Sequence, residues 1–411
     1  MIERNYPKIK EFIVDGHSVL VLGPRGAGKT QFLTQLISQM AHSHIIDLLD
    51  SDTFKRFLER PGLIFSLAQE LVAKGSAWIL IDEVQRLPIL LNEVHRTLNK
   101  FGDKVCFVLT GSSARKLKRE EANLLAGRAL KFDFFSLNSS EVDFENQFHN
   151  IMRWGLLPKI YSTYNKLSAI TGNPLQEEFL SRFLKTYAST YLQEEIQRES
   201  QLRKLDSFSR LLEFAAIHNG EPVNQKRAAA AAGVHSETAK EYYEMLVDTL
   251  IAYEVPPWTY SVSEKMQLSS KYYLFDNGVI NALCDELGSF CKPGTYRFGK
   301  LFENLVVTEF IKQISVLGSA KKIFHYRNKR GQEIDLILQK NAYDAPVAVE
   351  IKSSELPSVS DVKTLLIFKE RYKDATCIVC CLTKNPYVEQ GIHFMPYLEG
   401  IHFALSQCQV D

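Results

Sequence analysis

The stretch Ser18-Val19-Leu20-Val21-Leu22-Gly23-Pro24-Arg25-Gly26-Ala27-Gly28-Lys29-Thr30 decides the fold. Its first five residues read as a short buried strand. Gly23 to Thr30 then fits Gly-x-x-x-x-Gly-Lys-Thr without exception, and the amphipathic segment Thr30–Met40 follows. A glycine-rich turn between a strand and a helix is the context in which this pattern carries meaning. Glycines let the backbone wrap an anion with its N–H groups, and a helix N-terminus adds partial positive charge. The expected phosphate cradle is therefore Gly23, Pro24, Arg25, Gly26, Ala27, Gly28, Lys29 and Thr30. Lys29 would reach the β- and γ-phosphates of ATP, and the Thr30 hydroxyl would ligate Mg²⁺.

Working outward, Trp78-Ile79-Leu80-Ile81-Asp82-Glu83 is a second apolar strand that delivers two carboxylates at its end. Asp82 would hold Mg²⁺ through water, and Glu83 would polarise the attacking water. A third strand, Val105–Leu109, runs into Thr110-Gly111-Ser112-Ser113. Thr110 or Ser112 is expected to sense the γ-phosphate. Arg128, just before the apolar stretch Leu130–Phe135, reads either as a finger aimed at a neighbouring subunit's phosphate or as a structural ion-pair partner. Arg25 is a weaker finger candidate.

Up to about Glu145, short apolar runs alternate with amphipathic segments: Ser18–Leu22, Ile45–Leu49, Trp78–Ile81 and Val105–Leu109 against Thr30–Met40, Phe54–Lys74 and Leu87–Phe101. That alternation predicts a mainly parallel sheet covered by helices. From Ile151 to Val255 the pattern is helical: Glu177–Ser200, Phe208–His218, Gln225–Ala232 and Ser236–Ile251, with Ser236 as the expected N-cap. Pro256-Pro257 closes the helical region. Lys271–Phe275 reads as a strand. From Gly299 the order is helix Lys300–Val316, strands Ile323–Arg327, Glu333–Leu338 and Val347–Ile351, helix Ser360–Lys373 and strand Ala375–Leu382.

Lys and Arg number 49 against 48 Asp and Glu, so no global field announces a nucleic-acid partner. No apolar run approaches the roughly 20 residues that span a bilayer. The first ten residues lack the apolar core of a secretory signal, and the seven cysteines are scattered, so a reduced cytoplasmic location is expected. Cys377, Cys380 and Cys381 lie inside an apolar strand and read as buried thiols.

The motifs at 23–30, Asp-Glu-Val-Gln at 82–85, Leu-Thr-Gly-Ser-Ser at 109–113, Ala-Gly-Arg at 126–128 and Ser-Leu-x-x-x-Glu at 136–141 resemble a prokaryotic group of AAA+-like ATPases. The resemblance covers nearly the whole chain. It implies an AAA+ core, a winged-helix segment and a restriction-endonuclease-like fold, and no agreed substrate.

Near the C-terminus, Asp335 is followed by Glu350-Ile351-Lys352 on the next apolar strand. Period-two alternation puts Glu350 and Lys352 on one face, where Asp335 can meet them. Two carboxylates suit a hard cation such as Mg²⁺, and a lysine beside them can orient or deprotonate water. Glu303, on the preceding helix, is a further candidate ligand. The set resembles the PD-(D/E)XK nuclease superfamily, although no proline precedes the aspartate. Lys321, Lys322, Arg327, Lys329 and Arg330 form a basic run that could grip phosphates. By contrast Glu237, Glu241, Glu244 and Asp248 make the second helix of the helix–turn–helix acidic. If DNA is touched there, Lys226 and Arg227 on the preceding helix are the better candidates.

The expected architecture is thus α/β, with an AAA+ P-loop domain over 1–148, a helical and winged-helix segment over 149–290 and a PD-(D/E)XK nuclease-like domain over 291–411. The expected activity is ATP binding and hydrolysis directed at nucleic acid, DNA above all. Self-association through Arg128 is expected with it. The rival expectation is an ATP-dependent scaffold for a protein partner, with an inert nuclease-like fold.

Overall fold

A computed structural model describes residues 2–113, 127–167, 174–191, 205–259, 268–288, 291–328 and 330–407. Leu125, Ala126, Lys329 and the part of the expected Glu177–Ser200 helix beyond Tyr191 lie outside the described residues.

Strands β1 (Val19–Leu22), β2 (Ser43–Asp47), β3 (Ala77–Asp82), β4 (Val105–Gly111) and β5 (Leu130–Asp133) form one five-stranded sheet, ordered β2-β3-β4-β1-β5. Every neighbouring pair is parallel. β4 is buried along its whole length, as a continuous apolar run in a helix-covered parallel sheet should be. Register brings Leu22 beside Gly111 and Asp133, and Asp47 beside Asp82, so the glycine loop and the acidic strand end emerge at one edge. Ligands of open α/β sheets bind at that carboxyl edge.

Two sequence expectations need correction here. The segment Phe54–Lys74 is not one helix but two, Ser51–Glu59 and Leu63–Val72. Arg60 precedes Pro61 and takes φ −137°, ψ 73°, because the proline ring disfavours helical backbone before it. Strand β2 starts at Ser43, two residues before the expected start; it is an edge strand with only Ile46 buried, so apolar content marks it poorly.

Helices follow at Phe148–Trp154, Pro158–Leu167 and Pro174–Thr186, the last continuing as one π-helical turn, Tyr187–Tyr191. Leu205–Ile217, Gln225–Ala232 and Ser236–Asp248 then lead into an antiparallel pair, β6 (Ala252–Val255) and β7 (Lys271–Leu274). Asn224 caps the helix Gln225–Ala232 by accepting from the Arg227 N–H at 3.1 Å. The cap position before Ser236–Asp248 belongs to His235, not Ser236, and no side chain caps it.

The last sheet holds six strands: β8 (Lys322–Arg327), β9 (Glu333–Gln339), β10 (Val347–Lys352), β11 (Thr376–Cys381), β12 (Tyr387–Glu389) and β13 (Ile392–Pro396), ordered β12-β13-β11-β10-β9-β8. β8, β9 and β10 are antiparallel; β10, β11 and β13 are parallel. Cys377, Cys380 and Cys381 are buried on β11. β12, β13 and the helix Tyr397–Ser406 extend the fold past the last element read from sequence. The free edge of β8 is covered by Pro257 and Trp258: the Trp258 N–H donates to the His325 carbonyl at 2.7 Å, which blocks edge-to-edge pairing there.

The long helix Tyr296–Val316 joins this sheet to the first one. Its Glu309 accepts from the Ser139 N–H at 2.9 Å, and Lys312 donates to the Leu137 carbonyl at 2.8 Å. Both side chains are buried, so this contact is fixed by polar groups that would be costly to leave unpaired.

Candidate nucleotide site and C-terminal carboxylate cluster

Gly28 takes φ 94°, a left-handed conformation open to glycine, and so turns the loop into the helix Lys29–Ile37. Gly23 is needed for a different reason: a Cβ there would stand 2.0 Å from the Phe134 carbonyl oxygen. Lys29 is buried and folds back on its own loop, donating to the carbonyls of Gly23 at 2.6 Å and Pro24 at 3.1 Å. The Thr30 hydroxyl donates to Asp82 Oδ2 at 2.9 Å, so the loop helix and the acidic strand end meet directly.

Thr110 ties the site together. Its hydroxyl donates to Asp82 Oδ1 and accepts from the Glu83 N–H at 3.0 Å. Burial pushes the Asp82 carboxyl up, and the Thr110 and Thr30 hydroxyls pull it back. Glu83 stands at φ 57°, a conformation that costs a non-glycine residue energy and clusters at functional sites. Gln85 Nε2 donates both to Glu83 and, at 2.8 Å, to Ser112 Oγ. Thr110 thus touches the Asp82 carboxylate and the Glu83 backbone directly, whereas Ser112 reaches the Glu83 carboxylate through Gln85.

At the other end of the chain, Asp335 on β9 and Glu350 and Lys352 on β10 come together as expected. Asp335 Oδ2 accepts from the Ile351 N–H at 2.8 Å, and Lys352 Nζ donates to Glu350 Oε1 at 2.8 Å. Burial and then Asp335 push the Glu350 carboxyl up, against the pull of Lys352. Glu350 Oε2 is buried with no hydrogen-bond partner. Glu303 is also pushed up by burial and Asp335, against Lys271 and Lys300. It accepts from the Tyr273 hydroxyl at 2.8 Å.

The donor chemistry would suit a hard cation, but lysines already stand among these carboxylates. Among the described residues no group of three or more His, Cys, Asp or Glu side chains is placed to hold a metal ion. The expected Glu303, Asp335 and Glu350 ligand set is corrected accordingly: the three share a cluster without converging. Asp335 is engaged by backbone, Glu303 by Tyr273 and lysines. A lysine absent from the sequence expectation, Lys271 of β7, sits among them.

The basic run is corrected as well. Lys321 is buried and donates to the Ala404 carbonyl at 2.8 Å, satisfying the end of the last helix. Arg327 pairs with Glu333 at 3.2 Å. Lys322 and Arg330 remain exposed.

Residues 15–143 match the model of an AAA domain. The match supports a P-loop ATPase and ATP binding. Residues 145–289 and 298–399 match two models described as domains of unknown function. An uncharacterised protein of Mycobacterium tuberculosis is 24% identical over 344 residues, covering 83% of this chain and 71% of the relative. An uncharacterised protein of Haemophilus influenzae is 22% identical over 371 residues, covering 86% and 87%. A solved signal-transduction ATPase from Pyrococcus horikoshii is 15% identical and covers 76% of this chain but 46% of its own, at a TM-score of 0.25. No described helix is long and apolar enough to cross a membrane.

Two contacts brace the AAA domain's loop from outside the motif. Arg4 is buried and donates to the Ala27 carbonyl, to the Phe135 carbonyl at 2.9 Å and to Glu141 at 2.8 Å. Tyr187, from the π-helical turn, donates to the Arg25 carbonyl at 2.7 Å. Sequence reasoning found neither. Glu141 belonged to a quoted motif, and a buried partner for it was the available signal. Arg128 of the AAA domain is exposed, with Nε donating to Asn99 Oδ1 at 3.2 Å.

The seam between β7 and β8 carries a pH dependence. Burial, reinforced by Lys271 and Arg327, pushes the His325 imidazole down from 6.5 to about 4, although the Ser269 carbonyl favours the charged form. A depressed histidine gives stability that is complete above its unfolded pKa and is lost as pH falls towards the folded one. Lowering the pH from about 7 to about 5 should therefore cost about 1–2 kcal/mol through this group. His325→Gln should show a shallower acid loss in denaturant titrations at the two pH values. Equal losses in both proteins would show that His325 is not responsible.

Proposed function

We propose that this chain binds and hydrolyses ATP at the edge of its parallel sheet and acts on nucleic acid, DNA above all, through a nuclease-like C-terminal domain. The contact of Thr30 and Thr110 with the single carboxylate of Asp82 carries the first half of the reading. In this reading Gly23 to Gly28 wrap the phosphates, and Lys29 leaves the loop carbonyls for the β- and γ-oxygens. Thr30 and Asp82 would hold Mg²⁺, which would supply positive charge against the phosphates. Glu83 takes a proton from the attacking water, Thr110 fixes both acidic residues, and Gln85 with Ser112 holds Glu83 in place.

The second half rests on the helix Tyr296–Val316, the strands β8, β9 and β10, the helix Lys363–Arg371 and β11, in the order that the nuclease superfamily uses. Asp335, Glu350 and Lys352 then occupy its site positions. The three helices Leu205–Ile217, Gln225–Ala232 and Ser236–Asp248 with the β6–β7 pair support a winged-helix reading of the middle segment. The test is incubation of the purified protein with linear, circular and branched DNA, with and without ATP and Mg²⁺. Cleavage or retardation supports the reading, and neither on any substrate overturns it.

A second reading, the ATP-dependent scaffold for a protein partner, is favoured by one observation. Glu237, Glu241 and Glu244 are exposed at helical spacing on the would-be recognition helix, opposed there by Lys240. Such a face repels phosphates.

A further inference from the structure

Side chains alternate along a strand, so Lys271 and Tyr273 of β7 leave the same face. That face lies on the C-terminal carboxylates. Tyr273 donates to Glu303, and Lys271 Nζ stands 3.6 Å from Glu333 Oε2 and 4.0 Å from Glu303 Oε1. Lys271 is 3% exposed. A lysine that deeply buried is rare and needs compensating charge. That charge is at hand in the Glu303 and Glu333 carboxylates beside it.

The cation comes from elsewhere in the chain. β7 lies within the region 145–289, whereas all four carboxylates lie within 298–399. β7 is anchored on its own side: the Leu274 N–H donates to Asn219 Oδ1 at 2.6 Å, and Lys271 bridges to Pro222. An ammonium sits near 2.8 Å from oxygen at best, against about 2.1 Å for Mg²⁺, so it cannot draw several carboxylates onto one point. That accounts for a cluster whose acids share a space but do not converge. It also leaves Glu350 Oε2, on a residue 9% exposed, buried without a partner.

We propose that Lys271 is the resident cation of the Glu303, Glu333, Asp335 and Glu350 cluster, and that a divalent cation enters only in competition with it. The proposal rests on the nuclease-like reading of that cluster. It makes metal loading depend on a strand outside the C-terminal sheet. When β7 is seated, the cluster is balanced by lysine; when the ammonium withdraws, the carboxylates repel one another until a divalent ion replaces it.

The test uses the full chain, without nucleotide, and Mn²⁺ as the sole probe, with free Mn²⁺ followed by its paramagnetic resonance signal. Wild type, Asp335→Asn, Lys271→Met and Lys271→Met with Asp335→Asn are titrated. Lys271→Met should bind Mn²⁺ roughly tenfold more tightly than wild type or better, since one opposing charge near the ion has gone. Asp335→Asn should remove that gain. In thermal melts the metal-free Lys271→Met protein should melt below wild type, and Mn²⁺ should raise it by more. If Lys271→Met does not fold, Lys271→Gln, which removes the charge and keeps a donor, carries the same comparison. Equal Asp335-dependent affinity in wild type and the Lys271 variant would overturn the role of Lys271 and leave the metal site standing. No Asp335-dependent uptake in any variant would overturn both.

Discussion

Glu83→Gln is expected to bind ATP as wild type does and to turn it over about 10²–10⁴-fold more slowly, the usual worth of a positioned general base. The geometry separates the two effects. Glutamine can still accept from Gln85 through its carbonyl, and the backbone bond from residue 83 to the Thr110 hydroxyl involves no side-chain atom of Glu83. The strained φ of 57° is therefore held by the same partners, while the side chain loses its basicity. Loss in turnover with affinity kept is the signature of an interaction made only in the transition state. The measurement is phosphate release at saturating ATP, paired with equilibrium binding. Wild-type turnover in a folded Glu83→Gln protein would remove Glu83 from the mechanism.

Arg128→Ala should also bind ATP normally and lose about 10³-fold or more in turnover, the scale of an arginine finger. The side chain is exposed and its hydrogen bond goes to Asn99 on the surface of the same domain. An exposed arginine held by one neutral partner contributes little to stability, so folding should be unaffected. Its expected target is the γ-phosphate of a neighbouring copy. Mixing Arg128→Ala with Glu83→Gln should then restore part of the activity, because some interfaces pair an intact site with an intact finger. Light scattering that shows a monomer at every ATP concentration, or a mixture as inactive as its parts, would assign Arg128 to a structural role.

The nucleotide site was legible because its parts are local. A glycine loop, a strand ending in Asp82-Glu83 and a strand ending in Thr110 each carry their meaning within a few residues, and a parallel sheet brings such strand ends to one edge. The choice between Thr110 and Ser112 was not legible, since it depends on which hydroxyl points across β3 and β4 to Asp82. Asp335, Glu350 and Lys352 were legible through strand alternation, a period-two rule that needs no knowledge of the remaining chain. Lys271 was not. In sequence it is an ordinary strand-opening lysine; only the packing of β7 against the C-terminal sheet sets it among carboxylates. Lys321 misled for the complementary reason, because a lysine that caps a distant helix end looks in sequence like a solvated one. Arg4 and Tyr187 brace the phosphate loop from segments far from it, and no periodicity announces such contacts.

The central claim is that Lys29 and its loop hold ATP. Calorimetric titration of Mg²⁺·ATP into wild type and Lys29→Ala tests it most directly. The account predicts saturable one-site binding to wild type and a loss of affinity of about tenfold or more in Lys29→Ala, which removes the charge-assisted hydrogen bonds to the phosphates. Folded wild-type protein that takes up no Mg²⁺·ATP, or Lys29→Ala that binds it equally well, would contradict it.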